Sequence, residues 1–243
     1  MKTAAIIQAR MGSTRLPGKV LKTVMGKTLL EYQIERVKEA QMIDQIIIAT
    51  TMKKIDEPIV NLCERLGVDY FRGSEHDVLS RYFETATNFN IDVIVRITSD
   101  CPLIDPEIID KVVSHYLNHR EKLDYASNTL ERTYPRGLDT EVFSYNALKR
   151  ANDNAFLDRD REHVTPYFYT NPTIFRLSSI KQDIDMSMYR WTVDTKEDFE
   201  LVHNILTALY PVNPLFKTQD VISLLNQYPE WNDMNASVEQ KQL

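Results

Sequence analysis

Residues 4–19 read AAIIQARMGSTRLPGK, a short apolar run followed at once by a cationic loop that contains glycine. The run from Ala4 to Gln8 has the isoleucine-rich pattern of a strand that is covered on both faces. In an open α/β sheet, ligands bind beyond the carboxyl ends of the strands, which is where this loop begins. The order of the two pieces therefore predicts a buried strand that delivers a binding loop to one edge of a sheet.

Three more apolar runs continue this pattern, and a helix-length segment separates each run from the next. The runs are Gln45 to Thr50, Val68 to Phe71 and Asp92 to Ile97. Apolar side chains in the first two intervening segments recur at the spacing of one helical face. They are Leu30, Ile34 and Val37, then Ile59, Leu62 and Leu66. This alternation predicts an α/β protein with three αβα layers and a mostly parallel central sheet.

The regular alternation weakens in the second half of the chain. Asp105 and Pro106 open a helix that we expect to end near Leu117, because Asp caps a helix and Pro is tolerated at its first position. Residues 124–128 and 141–143 then resemble strands with a turn between them. We expect one domain over residues 1–243, with a small antiparallel extension at about 124–143 that shapes a substrate pocket.

The C-terminal third has weaker signals. Arg190 to Val193 resembles a strand, and Thr195 with Asp198 three positions later is typical of a helix N-terminus. A further helix is predicted from Asp158 to Tyr169. The polar residues 231–243 are predicted to form a flexible tail.

Composition excludes several classes of protein. The net charge is −6 and Lys and Arg are spread along the chain, which argues against binding to long nucleic acid. Two cysteines are too few for a disulfide framework. The apolar patch at the N-terminus is too short for a signal peptide, and no run approaches membrane-spanning length. We therefore expect a cytoplasmic protein without a membrane partner.

The loop after the first strand carries three cations and two hydroxyls. Arg10, Arg15 and Lys19 can neutralise a polyphosphate, and backbone N–H groups around Gly12 and Ser13 can surround its oxygens. A solvated basic loop is the alternative. The position of these groups directly after a buried strand favours a binding role.

Two common phosphate-binding motifs are excluded at this loop. A Walker A loop has four residues between its glycines, whereas five separate Gly12 from Gly18, and Val20 follows Lys19 where Ser or Thr would be required. The Gly-x-Gly-x-x-Gly pattern of dinucleotide-binding folds is absent as well. The ligand is therefore predicted to be a phosphate-rich molecule held by another kind of loop.

Residues 8–19 closely resemble the N-terminal signature of the cytidylyltransferases that activate sugar acids, including the sialic acid and KDO enzymes. The resemblance continues in the same order along most of the chain, at residues 48–51, 72–74, 99–103 and 193–195. Within this family, the sequence looks most like the spore coat polysaccharide biosynthesis protein F subgroup. The shared pieces are Arg-Gly-Ser, Asp-Cys-Pro-Leu and Pro-Arg-Gly-Leu-Asp.

This resemblance implies an enzyme that transfers CMP from CTP to a sugar or sugar acid with release of pyrophosphate, in surface or spore coat polysaccharide biosynthesis. It implies Mg²⁺ as the cofactor, held by Asp100 and Asp194 at two strand ends, and a possible homodimer. The implied catalytic residues are Arg10, Arg15, Lys19 and Asp100. The implied nucleotide-binding residues are Gln8, Ala9, Arg10, Gly12, Ser13, Thr14, Arg15, Lys19, Arg72 and Ser74.

Simpler roles remain open for three of these residues, and Asp100 could instead cap the turn that follows it. Ser74 is equally suited to capping the next helix. Asp194 could instead serve the entry of the helix that follows it. Arg81, on the helix after Ser74, could either reach inward or face water.

The acceptor would be held by Arg136, Asp139 and Glu141. The two carboxylates share a face if the segment is extended, although this face could also be a solvated rim. His163 is a possible base but is more simply structural. Residues 183–185 resemble an Asp-x-Asp metal motif in a polar loop.

Two other functions remain open at this point. A glycosyltransferase that uses a nucleotide sugar would have a similar scaffold, but the phosphate loop after the first strand argues against it. A non-catalytic nucleotide-binding protein is disfavoured because both candidate metal carboxylates are present. The triplet from Ser99 to Cys101 departs from the Gly-Asp-Glu of the KDO enzymes, which leaves the acceptor undetermined.

Overall fold

The computed structural model describes residues 1–239 of the chain. The strands are β1 (Thr3–Gln8), β2 (Thr23–Val24), β3 (Lys27–Thr28), β4 (Gln45–Thr51), β5 (Asp69–Gly73), β6 (Val93–Thr98), β7 (Tyr125–Ser127), β8 (Glu141–Ser144) and β9 (Leu177–Ser179). Seven of them form a sheet in the order β5-β4-β1-β6-β8-β7-β9, while β2 and β3 form a separate antiparallel pair. The sheet places β1 at its centre, between β4 and β6.

Among the described strands of this sheet, only β8 runs antiparallel to its neighbours. Strands β5, β4, β1 and β6 are parallel, β8 pairs antiparallel with β6 and β7, and β9 is parallel to β7. The predicted αβα fold with a mostly parallel sheet and a small antiparallel part is confirmed. Because Gln8 pairs with Thr98, the loops that follow β1 and β6 leave the sheet side by side.

Helices cover both faces of the sheet. They are α1 (Leu29–Lys38), α2 (Glu57–Leu66), α3 (Val78–Asn88), α4 (Pro106–His119), α5 (Tyr145–Asn154), α6 (Asp158–His163), α7 (Pro166–Tyr169), α8 (Lys196–Leu209), α9 (Thr218–Gln227) and α10 (Glu230–Asp233). Ile7 of β1 packs in the core formed with α1, α2 and α4, whereas Ile6 packs in the core formed with α3 and α5. Both faces of β1 are thus buried, which explains its continuous apolar run.

Two predicted elements differ from the structure. The expected helix from Asp158 to Tyr169 is divided at Val164, which has a φ of 71°. Pro166 begins the second piece, at a position that tolerates proline because its missing N–H would have no helical partner there. The expected strand from Arg190 to Val193 makes only an isolated bridge, between Arg190 and Arg136. Beyond this bridge, the N–H of Val193 donates to the carbonyl oxygen of Asp100 at 2.8 Å.

Residues 231–239, which the sequence predicts to be part of a flexible tail, include part of a short helix and one buried side chain. Trp231 lies in α10, and Asn235 is buried, with 5% of its surface exposed. Its side chain donates a hydrogen bond to the carbonyl oxygen of Arg190 at 2.9 Å. This contact could not be predicted from the polar composition of residues 231–239, because one buried amide adds nothing to the hydrophobic pattern of the sequence. Residues 240–243 lie outside the described part.

Gly137 permits a close approach of two backbone segments. It has a φ of +101°, and an added Cβ would lie 2.7 Å from the carbonyl carbon of Trp191. We expect Gly137→Ala to lower the free energy of unfolding by about 1–3 kcal/mol more than Gly67→Ala, because the clash adds overpacking to backbone strain. Gly67 is a matched control, since its φ is +60° and its Cβ position is open. Urea unfolding of both variants measures the difference; equal losses would contradict the clash.

Candidate active site

A cleft of about 610 Å³ lies at the carboxyl ends of β1 and β6. Its far wall is the segment that leads into β8. Most of the site residues predicted from the sequence line this cleft: Gln8, Ala9, Arg10, Ser13, Thr14, Arg15, Lys19, Asp100, Arg136, Asp139, Glu141 and Asp194. Gly12, Arg72 and Ser74 are not among its lining residues.

The loop after β1 is folded back on Met11. The carbonyl oxygen of Met11 accepts hydrogen bonds from the N–H groups of Ser13 at 2.9 Å and Gly18 at 3.0 Å. Its own N–H donates to the buried carboxylate of Asp56 at 2.6 Å, and Asp56 also accepts a hydrogen bond from Thr51. Of the N–H groups that the sequence predicts to surround phosphate oxygens, that of Ser13 already donates to Met11 in this conformation.

Lys19 lies between the two predicted metal carboxylates. Its Nζ is 3.0 Å from Oδ2 of Asp100 and 2.8 Å from Oδ1 of Asp194. Burial alone would lower the pKa of Lys19, but the two carboxylates raise it above its ordinary value. Burial alone would raise the pKa of Asp100, but the Lys19 charge and a hydrogen bond from Thr98 lower it to about 2. Lys19 and Asp100 are therefore both charged at neutral pH.

Hydrogen bonds join the two segments that carry these carboxylates. Asp100 follows β6, and its carbonyl oxygen accepts a hydrogen bond from the N–H of Val193 at 2.8 Å. The Thr192 hydroxyl donates to the same oxygen at 3.3 Å. These contacts place Asp194 next to Asp100, although the two residues are far apart in sequence.

Two arginines bind the other carboxylate oxygen of Asp194. Arg15 lies 3.0 Å from Oδ2, and Arg190 lies 2.9 Å from it. Arg190 is itself held by the buried carboxylate of Asp198 at 2.9 Å. Sequence reasoning missed Arg190 as part of the site and interpreted Asp198 only as a helix cap.

The two carboxylates fit the requirements of a magnesium site. Mg²⁺ prefers carboxylate and phosphate oxygens and often takes only one or two protein ligands. Asp100 and Asp194 already converge on one cation, the Lys19 ammonium. Within residues 1–239, no set of three His, Cys, Asp or Glu side chains is placed to hold a metal. A Mg²⁺ ion here would therefore need phosphate or water oxygens as its further ligands.

The predicted acceptor carboxylates line the far wall, but each is already paired. Glu141 is ion-paired with Arg96, and it accepts a hydrogen bond from Tyr125 at 2.5 Å. Asp139 accepts two hydrogen bonds from Arg132, at 2.6 and 2.9 Å. Arg96 and Arg132 line the cleft and were not identified from the sequence. The alternation of Arg96 with apolar residues in β6 was the available signal.

Arg72, which was predicted to contact the nucleotide, does not line the cleft. Arg72 donates to the carbonyl oxygens of Thr51 and Lys53, each at 3.0 Å, and pairs with Glu57 at 2.7 Å. These three partners hold its guanidinium outside the cleft. The assignment of Arg72 to nucleotide binding is therefore not supported by its position.

Arg81 presents a guanidinium to the cleft instead. It is 2% exposed, lines the cleft, and donates a hydrogen bond to the carbonyl oxygen of Ser74. Burial, followed by the nearby charge of Arg10, lowers the pKa of Arg81. Ser74 itself accepts a hydrogen bond from the N–H of Asp77 at 3.0 Å, which matches its alternative role at a helix entry.

The remaining candidates are His163, which lines the cleft, and the pair Asp183 and Asp185, which does not. His163 lines the cleft together with Glu162. Asp183 and Asp185 lie in an exposed loop that does not contribute to the cleft. Their Asp-x-Asp spacing is explained in part by a turn, since Asp185 accepts a hydrogen bond from the N–H of Ser187 at 2.8 Å.

Both cysteines should react slowly in the folded protein. Burial raises the pKa of Cys63 to about 12, and burial with the neighbouring Asp100 raises the pKa of Cys101 well above its ordinary value. The thiolate is the reactive form. We expect iodoacetamide at pH 8 to label either cysteine far more slowly than in urea-unfolded protein, as followed by mass spectrometry. Rapid labelling of Cys101 in the native state would contradict the assigned environment.

The sequence of the whole chain has relatives among known proteins. Residues 4–240 match the sequence model of the cytidylyltransferase family. The chain belongs to this family. This cytidylyltransferase is 34% identical to the spore coat polysaccharide biosynthesis protein SpsF of Bacillus subtilis, over 93% of this chain and 94% of that protein. The resemblance found in the sequence and the enzyme class are confirmed.

Solved structures agree with this assignment. A cytidylyltransferase from Leptospira borgpetersenii has a TM-score of 0.92 and 34% identity, with 100% of both chains covered. CMP:2-keto-3-deoxy-manno-octonic acid synthetase in complex with CTP has a TM-score of 0.65 and 17% identity, covering 85% of this cytidylyltransferase and 99% of that chain. The second likeness concerns the fold. In the described part of this cytidylyltransferase, no helix has the length and hydropathy to cross a bilayer.

Proposed function

We propose that this enzyme transfers CMP from CTP to a sugar acid or a related sugar and releases pyrophosphate. The observation that carries the proposal is the convergence of Asp100, Asp194 and Lys19 at the end of the loop that follows β1. This arrangement supports binding of a nucleotide triphosphate together with Mg²⁺. The relatives named above support CTP as the nucleotide and a sugar acid as the acceptor.

The charge of the cleft supports a polyanionic ligand. Its lining includes seven Arg and Lys side chains: Arg10, Arg15, Lys19, Arg81, Arg96, Arg132 and Arg136. Several of these are neutralised by carboxylates in the wall. Arg10, by contrast, is exposed and has no ion pair among the described residues. It is therefore available to a triphosphate without breaking an existing contact.

In the proposed reaction, an oxygen of the acceptor attacks the α-phosphorus of CTP, the bond from this phosphorus to the bridging oxygen breaks, and pyrophosphate leaves from the opposite side. A hydroxyl acceptor releases its proton to water, whereas the phosphate of a sugar phosphate attacks as an anion. Arg10, Arg15 and Lys19 stabilise the negative charge that moves onto the pyrophosphate. When bound, Mg²⁺ held by Asp100 and Asp194 supplies Lewis-acid stabilisation of phosphate oxygens. Lys19 exchanges its carboxylate partners for phosphate oxygens as the nucleotide enters. The cleft aligns the two substrates, which contributes much of the rate enhancement.

Arg136 supports an anionic acceptor. It lies half-buried on the far wall, and no carboxylate among the described residues is within ion-pair distance of it. Burial and the nearby charge of Arg132 lower its pKa, so a bound anion would stabilise its charged form. A sugar acid or a sugar phosphate provides such an anion, while Asp139 and Glu141 could accept hydrogen bonds from hydroxyl groups.

The two rival functions have less support. A glycosyltransferase would need its Asp-x-Asp motif at the sugar nucleotide, but Asp183 and Asp185 lie in an exposed loop. A non-catalytic nucleotide sensor would not require two carboxylates around one lysine. We further propose a role in surface or spore coat polysaccharide biosynthesis, a cytoplasmic location where CTP is available, and a homodimer.

The test is a screen of nucleotides against acceptors in which pyrophosphate release is measured. CTP, UTP and ATP would each be combined with sugar acids, sugar phosphates and neutral sugars in the presence of Mg²⁺. We expect release that requires both CTP and an anionic sugar. Release of a nucleoside diphosphate from a sugar nucleotide would support the glycosyltransferase, and nucleotide binding without turnover in every combination would support the sensor.

A further inference from the structure

The C-terminal segment Glu230–Glu239 reaches the wall that carries Asp194. Its buried residue is Asn235, whose Nδ2 donates to Oδ1 of Asp198 at 2.8 Å and to the carbonyl oxygen of Arg190 at 2.9 Å. The solubility of a short polar segment does not depend on burying one of its amides. The amide is instead part of the hydrogen-bond network behind the cleft.

Asp198 is the centre of this network and is fully buried. Its Oδ2 accepts hydrogen bonds from the N–H groups of Asp194 and Thr195, each at 3.0 Å. Arg190 donates to the same carboxylate through Nε at 2.9 Å and through Nη2 at 3.1 Å. The carboxylate thus fixes both the backbone of Asp194 and the guanidinium beside it.

Arg190 completes the connection to the cleft. Its Nη2 also donates to Oδ2 of Asp194 at 2.9 Å, which leaves Oδ1 of Asp194 directed at Lys19. Two series of hydrogen bonds therefore connect the C-terminal segment to Asp194. One passes through Asp198 to the backbone, and the other passes through Arg190 to the carboxylate.

We propose that Asn235 is a positioning residue of the active site, which sets the direction of the Asp194 carboxylate by holding Asp198 and the backbone of Arg190. The proposal rests on the proposed function, because it treats Asp194 as part of the site that binds CTP and Mg²⁺. It assigns a role in the reaction to a segment without any side chain in the cleft.

A purely structural role for Asn235 fits the contacts less well. Trp231 and Met234 already attach the segment to the core formed with α8 and α9. A second cavity, of about 520 Å³, adjoins Asn235 and is also lined by Asn232 and Ala236. The segment is therefore not close-packed at this point, and the two hydrogen bonds of Asn235 are directed specifically at the network around Asp194.

The test compares Asn235→Ala with Asn232→Ala. Asn232 is a matched control because it has the same side chain, lies in the same segment and lines the same cavity, yet it makes no side-chain hydrogen bond to the described residues. We expect Asn235→Ala to lower kcat about three- to tenfold, with the KM for CTP changed by less than about twofold. The Mg²⁺ concentration for half-maximal rate should rise, because one carboxylate is less well directed.

A second readout does not depend on turnover. Binding of Mn²⁺ in the presence of CTP, measured by electron paramagnetic resonance, should weaken in Asn235→Ala and remain unchanged in Asn232→Ala. Rates are to be taken well below the melting temperature of each variant. If Asn235→Ala does not fold, Asn235→Ser keeps one donor and is expected to show the same changes to a smaller degree.

Equal kcat and equal Mn²⁺ affinity in the Asn235 variant and its Asn232 control would overturn the positioning role. Failure of the proposed function has a different result, namely that the unsubstituted enzyme releases no pyrophosphate from CTP with any acceptor. In that case the Mn²⁺ measurement still decides whether Asn235 positions Asp194.

Discussion

Asp100→Asn is expected to lower the rate of CMP transfer about a hundred- to thousandfold, a loss of about 2.7–4 kcal/mol in transition-state stabilisation. The substitution keeps the size of the side chain but removes the charge that faces Lys19 at 3.0 Å. It also removes a hard anionic ligand for Mg²⁺. Initial rates of pyrophosphate release at saturating CTP measure the loss. Asp183→Asn is the control, because it removes the same charge from an exposed loop outside the cleft.

The double variant tests whether one ion is shared. Asp194→Asn should act in the same direction as Asp100→Asn. If both carboxylates hold one Mg²⁺, the double variant loses less than the product of the two single losses, because the first substitution already disables the site. Losses that multiply at saturating Mg²⁺ would show that the carboxylates act independently.

Lys19→Met is expected to slow turnover about a hundredfold while strengthening the binding of Mn²⁺ in the absence of nucleotide. The slower turnover follows from the loss of a cation that stabilises the leaving pyrophosphate. The tighter Mn²⁺ binding follows because Lys19 no longer competes for Asp100 and Asp194, which would then repel each other. General damage to the site would weaken both turnover and Mn²⁺ binding. Slower turnover together with tighter Mn²⁺ binding therefore identifies the specific role of Lys19.

Lys54→Met serves as the control for Lys19→Met. Lys54 is exposed and makes no ion pair among the described residues, so its loss should leave both turnover and Mn²⁺ binding unchanged. Weaker binding of Mn²⁺ to Lys19→Met than to the unsubstituted protein would refute competition between the ammonium and a metal. Isothermal titration calorimetry measures this affinity directly.

The parallel half of the fold could be predicted because its signals are local. The apolar runs that became β1, β4 and β6 are largely buried on both faces, so their position follows from composition alone, whereas β5 lies at the edge of the sheet and is only partly buried. Topology then brings the ends of β1 and β6 together, which is why Lys19 and Asp100 could be predicted to meet. The Thr195 cap of α8 was likewise a local pattern, and it is present.

The remaining features depend on partners that are distant in sequence. Arg96 lies within an apolar strand, and its role becomes visible only from its pairing with Glu141 of β8. Arg72 lies outside the cleft because its guanidinium bonds to Glu57 and to two backbone carbonyl oxygens. A short sequence motif does not show that these partners are nearby. Asn235 and Asp198 lie 37 residues apart, and only packing of the chain end shows that they meet.

The antiparallel pairing of β6 with β8 has a consequence for how such an enzyme can diversify. The nucleotide is assigned to loops after β1 and β6, whereas the acceptor is assigned to the connection between β7 and β8. Because β8 is hydrogen-bonded to β6, the two substrate sites share one rigid sheet, yet they are encoded in separate stretches of sequence. Under the proposed function, substitutions between residues 128 and 140 would change which sugar is accepted without altering the loops that are proposed to bind CTP. One scaffold could in this way supply activated forms of chemically different sugars.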